Sequence, residues 1–235
     1  MSRGKLYIIP IHISDAGFDK VLPHYNTLVV SKLRVFAVEK IKTARQFLRK
    51  IDREFPIDDS VFYEQDKHDQ YAFHEDVINA LRAGTDVGLM SESGYPAVAD
   101  PGYLIVAKAQ EIGAEVVPLV GPSSLLMALA ASGLNGQGFT FNGYLPVKDP
   151  ERSKRIKFIA DLIQKTGYSQ LFIETPYRNQ SIFDDFVKHC PGNLKLCVAY
   201  DVTGTHEQIQ TKTLQEWKKA PFKFDKVPAV FILGK

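Results

Sequence analysis

Two stretches near the middle of the chain share one design, and it confines the fold to an α/β type. In the first, Asp86-Val-Gly-Leu-Met90 runs into Ser91-Glu-Ser-Gly-Tyr-Pro-Ala-Val-Ala-Asp-Pro-Gly102. In the second, Glu115-Val-Val-Pro-Leu119 runs into Val120-Gly-Pro-Ser-Ser-Leu-Leu-Met-Ala-Leu-Ala-Ala-Ser-Gly133. Each reads as a short apolar strand, a turn of small residues and a helix. In open α/β sheets, ligands bind in the crevice beyond the carboxyl ends of the strands. Small residues there let a ligand approach the backbone, which bulky side chains would prevent. Two such loops in tandem point to a small-molecule site.

The rest of the chain alternates in the same way. Leu6-Tyr-Ile-Ile9 reads as a buried first strand ending at Pro10, and Thr27–Val30 and Arg34–Val38 also read as strands. Ile41, Ala44, Leu48 and Ile51 recur at helical spacing, with Lys42, Arg45 and Arg49 off that stripe. A helix is expected from Tyr71 to Ala83, with Phe73, Val77, Ala80 and Leu81 inward and Gly84 as its stop. In the second half, Phe139–Gly143, Gln170–Glu174, Leu194–Tyr200, Gln208–Lys212 and Val227–Leu233 read as strands. Asp149 is expected to cap a helix that starts at Pro150 and closes at Gly167, its buried stripe being Ile156, Ile159, Ala160 and Ile163. Tyr177 to His189 reads as a further helix. A boundary near Pro118–Pro122 divides the chain into two α/β lobes, residues 1–119 and 120–235, with a cleft expected between them.

Composition excludes several classes. At 45% hydrophobic and 24% charged residues, the 235-residue chain has the make-up of an ordinary globular protein. A formal net charge of +2 is too small to argue for nucleic acid by itself. Cys190 and Cys197 form neither a CxxC pair nor part of a metal cluster, so no disulfide framework and no metal site is expected and a reducing cytoplasm fits best. The apolar run at the amino terminus is broken by Pro10 and His12, too early for a signal peptide or a membrane span. Neither GxGxxG nor GxxxxGK occurs, which disfavours a dinucleotide or a triphosphate. Ser91-Glu-Ser-Gly-Tyr-Pro96, with one glycine, two hydroxyls and an acid, suits a ligand with polar groups and little negative charge. The plain alternative makes Ser123 a helix N-cap and Gly94 a turn residue.

The order of these residues resembles a known family. Gly94-Tyr-Pro-Ala-Val-Ala-Asp-Pro-Gly102 resembles the G-T-P-L-I-S-D-P-G stretch of the ribosomal RNA branch of the tetrapyrrole-methylase superfamily. Val117–Ser124 is similar to its V-P-L-P-G-P-C/S-A/S segment, and Ser132-Gly-Leu134 through Gly143-Tyr-Leu-Pro146 to its A-G-L…G-F-L-P run. Phe172-Ile-Glu-Thr-Pro-Tyr-Arg178 is similar to F-Y-E-S-P-H-R, and Ala199–Glu207 to A-R-E-L-T-K-x-x-E. Pro228–Gly234 resembles its last strand.

The resemblance implies a two-lobed α/β methyltransferase, usually a homodimer, that binds S-adenosylmethionine in the interdomain cleft and methylates a ribose 2′-hydroxyl of ribosomal RNA. Position by position, it implies cofactor contacts at Ile13 after the first strand and at Gly94, Tyr95, Ala97 and Val98 on the first loop. It implies others at Ser123 and Ser124 on the second loop, at Thr175, and at Pro228 and Ala229. The first lobe would then carry the substrate side and the first cofactor loop, the second lobe the other. A methionine carboxylate is matched by N–H donors at a helix start, and adenine by an apolar slot.

A ribose hydroxyl needs a base to take its proton. Candidates are Glu39, Asp15 and Glu92, with Asp100 and Glu207 behind them, each of which also reads as a solvated acid or a cap. Asp100, before Pro101, is expected to cap the helix starting there; Glu174 and Arg178 read as a local pair; Asp201, Thr203 and His206 are placed at the cleft mouth. Lys40, Lys42, Arg45 and Arg49 on the early helix, and Lys148, Arg152, Lys154 and Arg155 on the later one, are either phosphate contacts or solvated helix faces. Tyr95, Tyr144 and Tyr177 are candidates for stacking on bases or for core packing.

The sequence departs from the family pattern at three places. P-I-G-N-L is here Pro10-Ile-His-Ile-Ser14; A-E-D-T-R is Val38-Glu-Lys-Ile-Lys42; H-E-H-N-E is Tyr63-Glu-Gln-Asp-Lys67. A short C-terminal extension of larger relatives also has no counterpart after Gly234. The departures fall where substrate rather than cofactor is expected. They leave two further readings open: methylation of a tetrapyrrole carbon, and a cofactor-binding sensor without catalysis.

Overall fold

A computed structural model of the chain describes residues 2–14, 20–65 and 70–235. The chain forms two compact units, residues 1–123 and 124–235. Residues 120–123 stay with the first unit, where the buried Asn26 side chain donates to the Val120 carbonyl (2.7 Å).

In the first unit, β1 (Leu6–Ile8), β2 (Val35–Val38), β3 (Val61–Glu64), β4 (Val87–Met90) and β5 (Val116–Pro118) make a sheet in the order β3-β2-β4-β1-β5. Every pairing among these described strands is parallel, with Val87 opposite both Leu6 and Val35. A parallel sheet is covered on both faces, so its central strand reads as an unbroken apolar run. Alternation then sends Phe36 and Val38 to one face with Ile9, Ile11, Phe47 and Leu48, while Ala37 faces the other with Leu6, Ile8, Val77, Leu81 and Ile105. Helices α1 (His24–Val30) and α2 (Ile41–Ile51) thus cover one face, and α3 (Gln70–Arg82) and α4 (Tyr103–Glu111) the other. Because the strands are parallel, the loops after β1, β2, β4 and β5 leave from one edge.

The second unit opens with α5 (Ser124–Ser132), followed by β6 (Phe139–Phe141), α6 (Glu151–Thr166) and β7 (Ser169–Ile173). A 3₁₀ turn (Pro176–Arg178), α7 (Asn179–His189), β8 (Lys195–Tyr200), β9 (Gln208–Thr213), α8 (Leu214–Lys219) and β10 (Ala229–Gly234) complete it. The sheet order is β6-β7-β10-β8-β9, parallel only between β6 and β7. One face packs Phe172, Phe231, Val198 and Tyr200 against α6, α7 and α8; the other packs Leu171, Cys197, Val230 and Ile232 against α5. The Trp217 indole N–H donates to the Leu196 carbonyl (2.8 Å), which fixes α8.

The structure alters several expected elements. Thr27–Val30 is the end of helix α1 and not a strand. Its β-branched run favours extension, but Asn26 and Val30, one helical turn apart, are the two residues that find buried partners, and that spacing prevails. Strand β3 and helix α8 were not anticipated. Helix α8 does carry a legible start, Thr213-Leu-Gln-Glu216, whose side chains form a reciprocal capping box. Asp149 accepts the Ser153 N–H (3.1 Å), helix α6 begins one residue after Pro150, and Gly167 closes it at φ 70°. The Phe73 side chain, Asp15 and the pair Asp66–Lys67 lie outside the described residues. No described helix is long and apolar enough to cross a membrane.

Phe186 is fully buried, with its ring centroid 5.1 Å from that of Phe172 and 6.0 Å from that of Phe231. Phe186→Ala is expected to cost about 3–5 kcal/mol in chemical denaturation. A loss below about 1 kcal/mol would show that α7 is not anchored there.

Candidate active site

The edge where the parallel strands end brings most first-unit candidates together. The Ile11 N–H donates to the Gly94 carbonyl (2.9 Å), and the Ser93 hydroxyl to the Ile13 carbonyl (3.4 Å). A Cβ on Gly94 would stand 3.6 Å from Ile13 Cγ1 and 3.7 Å from the Pro122 carbonyl. The loops after β1, β4 and β5 therefore meet at Gly94, beside Ser123. Its φ of +68° lies in the left-handed region that favours glycine.

The turn that follows is held by one carboxylate. Asp100 Oδ1 accepts the N–H groups of Ala97 (3.0 Å) and Gly102 (2.7 Å). Ala97 and Ala99 keep φ values of 64° and 63° despite their Cβ atoms, at about 1–2 kcal/mol each. Asp100 thus fixes the turn and not the helix, because α4 starts at Tyr103 after Gly102 with no side-chain cap. Burial pushes the Asp100 carboxyl above the ordinary aspartate value, against the pull of its two N–H donors. Tyr95 is half-buried among the residues packed on α3 and α4, which raises its phenol and commits the ring to packing, while Val98 is exposed.

The three acids named as bases fare differently. Glu39 follows β2, and its Oε2 accepts the Glu92 backbone N–H (2.7 Å). Burial raises its pKa, that N–H lowers it, and the negative charges of Asp100 and Glu92 raise it further. Glu39 and Asp100 line one narrow pocket with Gln65, Ser91 and Pro96, with room for roughly one water molecule. The Glu92 carboxylate is engaged at the surface by Lys40 Nζ (2.8 Å) and the Thr43 hydroxyl (3.5 Å). Asp15 lies outside the described residues. The Lys40 that replaces a family acid is therefore the partner of Glu92.

In the second unit, the carboxyl ends of β7 and β8 and the start of β10 share an edge, since β10 is antiparallel to both. Ala229 pairs with Tyr200, and the Asp201 N–H donates to the Pro228 carbonyl (3.0 Å). Thr175, Pro228 and Ala229 are placed on that edge with the loop 201–207. Glu174, nearly without exposure, accepts the Thr175 N–H at Oε1 (2.7 Å) and meets the Arg178 guanidinium at Oε2 (3.0 Å). Asp201 and Thr203 take positive φ values of 50° and 67°, held by bonds from the His206 N–H to Asp201 (2.9 Å) and from the Thr203 N–H to Glu207 (2.6 Å). Glu207 is thus a brace of the loop, and His206 is exposed. Ser124 begins α5. Tyr144 and Tyr177 are exposed.

The atoms nearest a Cβ on Gly94 belong to the Ile13 side chain and the Pro122 carbonyl, with no basic group among them, which suits a cationic sulfonium better than a phosphate. The sequence pattern of the tetrapyrrole (corrin/porphyrin) methylases matches residues 27–218. The chain belongs to this family. It is accordingly a methyltransferase. The tetrapyrrole methylase chain is 30% identical over 211 residues to the ribosomal RNA small subunit methyltransferase I of Vibrio cholerae, covering 90% of this chain and 69% of that protein. To the protein of that name from Pseudomonas aeruginosa it is 28% identical, covering 92% of this chain and 72% of the relative. To that from Mesorhizobium japonicum it is 37% identical over 139 residues, 59% of this chain and 46% of the relative. The methyltransferase CobJ shares the fold at TM-score 0.60 and 16% identity, over 100% of this chain and 95% of that one. Uroporphyrin III C-methyl transferase from Thermus thermophilus shares it at 0.58 and 15%, over 99% and 98%.

Two outcomes follow from the acid pair. Asp100→Ala leaves two loop N–H groups without their acceptor and is expected to cost about 1–3 kcal/mol in thermal or chemical unfolding; an unchanged midpoint would show that the turn holds itself. Because the folded chain keeps the Glu39 proton above the ordinary value of 4.5, its contribution is full below that value and lost as pH rises through the folded one. Glu39→Gln should therefore gain stability relative to wild type as pH is raised from 4.5 towards neutrality, read by unfolding at each pH. A difference that is flat with pH, or falls, would contradict the burial.

Proposed function

We propose that this methyltransferase uses S-adenosylmethionine to methylate a ribose 2′-hydroxyl of small-subunit ribosomal RNA, as a homodimer in the cytoplasm. The substrate part rests on the relatives aligned along 90–92% of the chain. The chemical part is carried by one observation, the half-buried Glu39 carboxylate bonded to the loop that contains Gly94.

When bound, the cofactor supplies an electrophilic methyl on a sulfonium. Ile13, Tyr95, Ala97 and Val98 would hold it from the first unit, with Gly94 leaving room. Ser123 and Ser124 offer hydroxyl and N–H donors at the start of α5 for its carboxylate. Thr175, Pro228 and Ala229 would hold it from the second. In this reading residues 1–119 carry the substrate side and the first cofactor loop, and residues 120–235 the second. Glu39 takes the hydroxyl proton; its raised pKa makes it a stronger base than a solvated glutamate, as a group accepting a proton from a poor nucleophile requires.

The test is transfer of labelled methyl from S-adenosylmethionine to small ribosomal subunits. Label is expected in RNA, at one position that resists alkali. Label in a uroporphyrinogen-type substrate instead would replace this reading with the tetrapyrrole one, and cofactor binding with no transfer would favour a sensor. Glu39→Gln is expected to lower the rate by about 10²–10⁴ with cofactor affinity unchanged. A near-normal rate would remove Glu39 as the base. Light scattering is expected to give twice the 26.4 kDa chain mass.

A further inference from the structure

Helix α2 carries Lys42, Arg45, Arg49 and Lys50 and no acid. Like charges three or four residues apart destabilise a helix, so such a run is a cost unless a partner neutralises it. No carboxylate of a described residue lies within ion-pair distance of these four. Neutral groups hold three of them instead. The Arg45 guanidinium sits 5.4 Å from the centroid of the Phe62 ring, Arg49 donates to the Arg53 carbonyl, and Lys50 Nζ meets His12 Nε2 (3.3 Å). Arg45, Gln46, Arg49 and Lys50 line one open groove.

The helix is also joined to the candidate site at both ends. Lys40, just before it, pairs with Glu92 in the loop after β4, and Lys50 reaches His12 in the loop after β1. The other basic helix differs. Helix α6 carries Glu151 and Asp161 among its cations, and its Arg152 is paired with Asp185 (2.6 Å). Arg155, which donates to Asn142 and lies over Phe158, and the exposed Lys154, Lys157 and Lys165 have no ion pair with a described residue. The grooves beside α3 and α4, and beside α7 and α8, mix cations with carboxylates.

We propose that the groove on α2 binds the phosphate backbone of the substrate RNA. Arg45 and Arg49, one turn or about 6 Å apart, contact neighbouring phosphates, and Lys50 extends the track towards the site. The inference rests on the RNA reading above and adds the surface that grips the substrate. The groove takes phosphates without reading bases, so it sets affinity and salt dependence rather than sequence choice.

The experiment measures binding of a small-subunit ribosomal RNA fragment by the full chain at several salt concentrations. Arg45→Gln with Arg49→Gln is expected to reduce the slope of log affinity against log salt by about 1.4–1.8, the value for two lost phosphate contacts. Arg45→Lys with Arg49→Lys is expected to restore most of it. Lys157→Gln with Lys165→Gln, which removes the same charge from exposed positions of α6, should keep the wild-type slope. Circular dichroism melts report folding of each variant. If wild-type chain methylates ribosomal RNA but the glutamine pair keeps its slope and affinity, this inference falls and the function stands. An equal loss in the lysine pair, or in the α6 pair, also overturns it. If wild-type chain neither binds nor methylates RNA, the function reading itself has failed.

Discussion

Parallel pairing of β1 to β5 is the constraint on which the rest of the first unit depends. Parallel strands require crossover helices and burial on both faces, and they send every carboxyl-end loop to the same edge. That geometry, and no motif taken singly, brings Ile13, Glu39, Gly94, Asp100 and Ser123 into one neighbourhood. The second unit reaches a comparable result with a mixed sheet. There β7 and β8 run the same way on either side of an antiparallel β10, so two strand ends and one strand start share an edge.

The first-unit edge is built from carboxylates partly withdrawn from water. Desolvation opposes their ionisation, and backbone N–H donors offset it: two for Asp100, one for Glu39. Those bonds also fix the loop, so the groups that tune the electrostatics are the ones that hold its shape. Glu92 shows the contrast. Its backbone N–H donates to Glu39, yet its carboxylate is neutralised at the surface by Lys40. Neighbouring acids are thus given different tasks by burial and partner alone.

The departures from the family pattern acquire physical meaning in the same region. Lys40, in place of an acid, pairs with Glu92; His12, in place of a glycine, stacks near Phe47 and meets Lys50. Both substitutions tie α2 to the loops of the edge.

The amino-acid sequence by itself determined the α/β class, most strands and helices, the two strand–loop–helix units and the family. These depend on local periodicity, on small residues at tight turns and on residue order, all of which are written along the chain. It misread Thr27–Val30, because β-branched residues resemble a strand until tertiary contacts select Asn26 and Val30 one turn apart. It passed over β3, an edge strand of four residues too short to show a period, although the turn residues Pro56-Ile-Asp-Asp-Ser60 stand directly before it. The acids Glu39, Glu92 and Asp15 were indistinguishable as residues; burial, partner and distance separate Glu39 from Glu92, and these exist only once β2 and β4 lie side by side. The cations of α2, which meet no carboxylate of a described residue, and Arg152 of α6, which meets Asp185, likewise look alike in one dimension. Only the tertiary structure decided between them, because an ion pair such as Arg152 with Asp185 joins residues far apart in the chain.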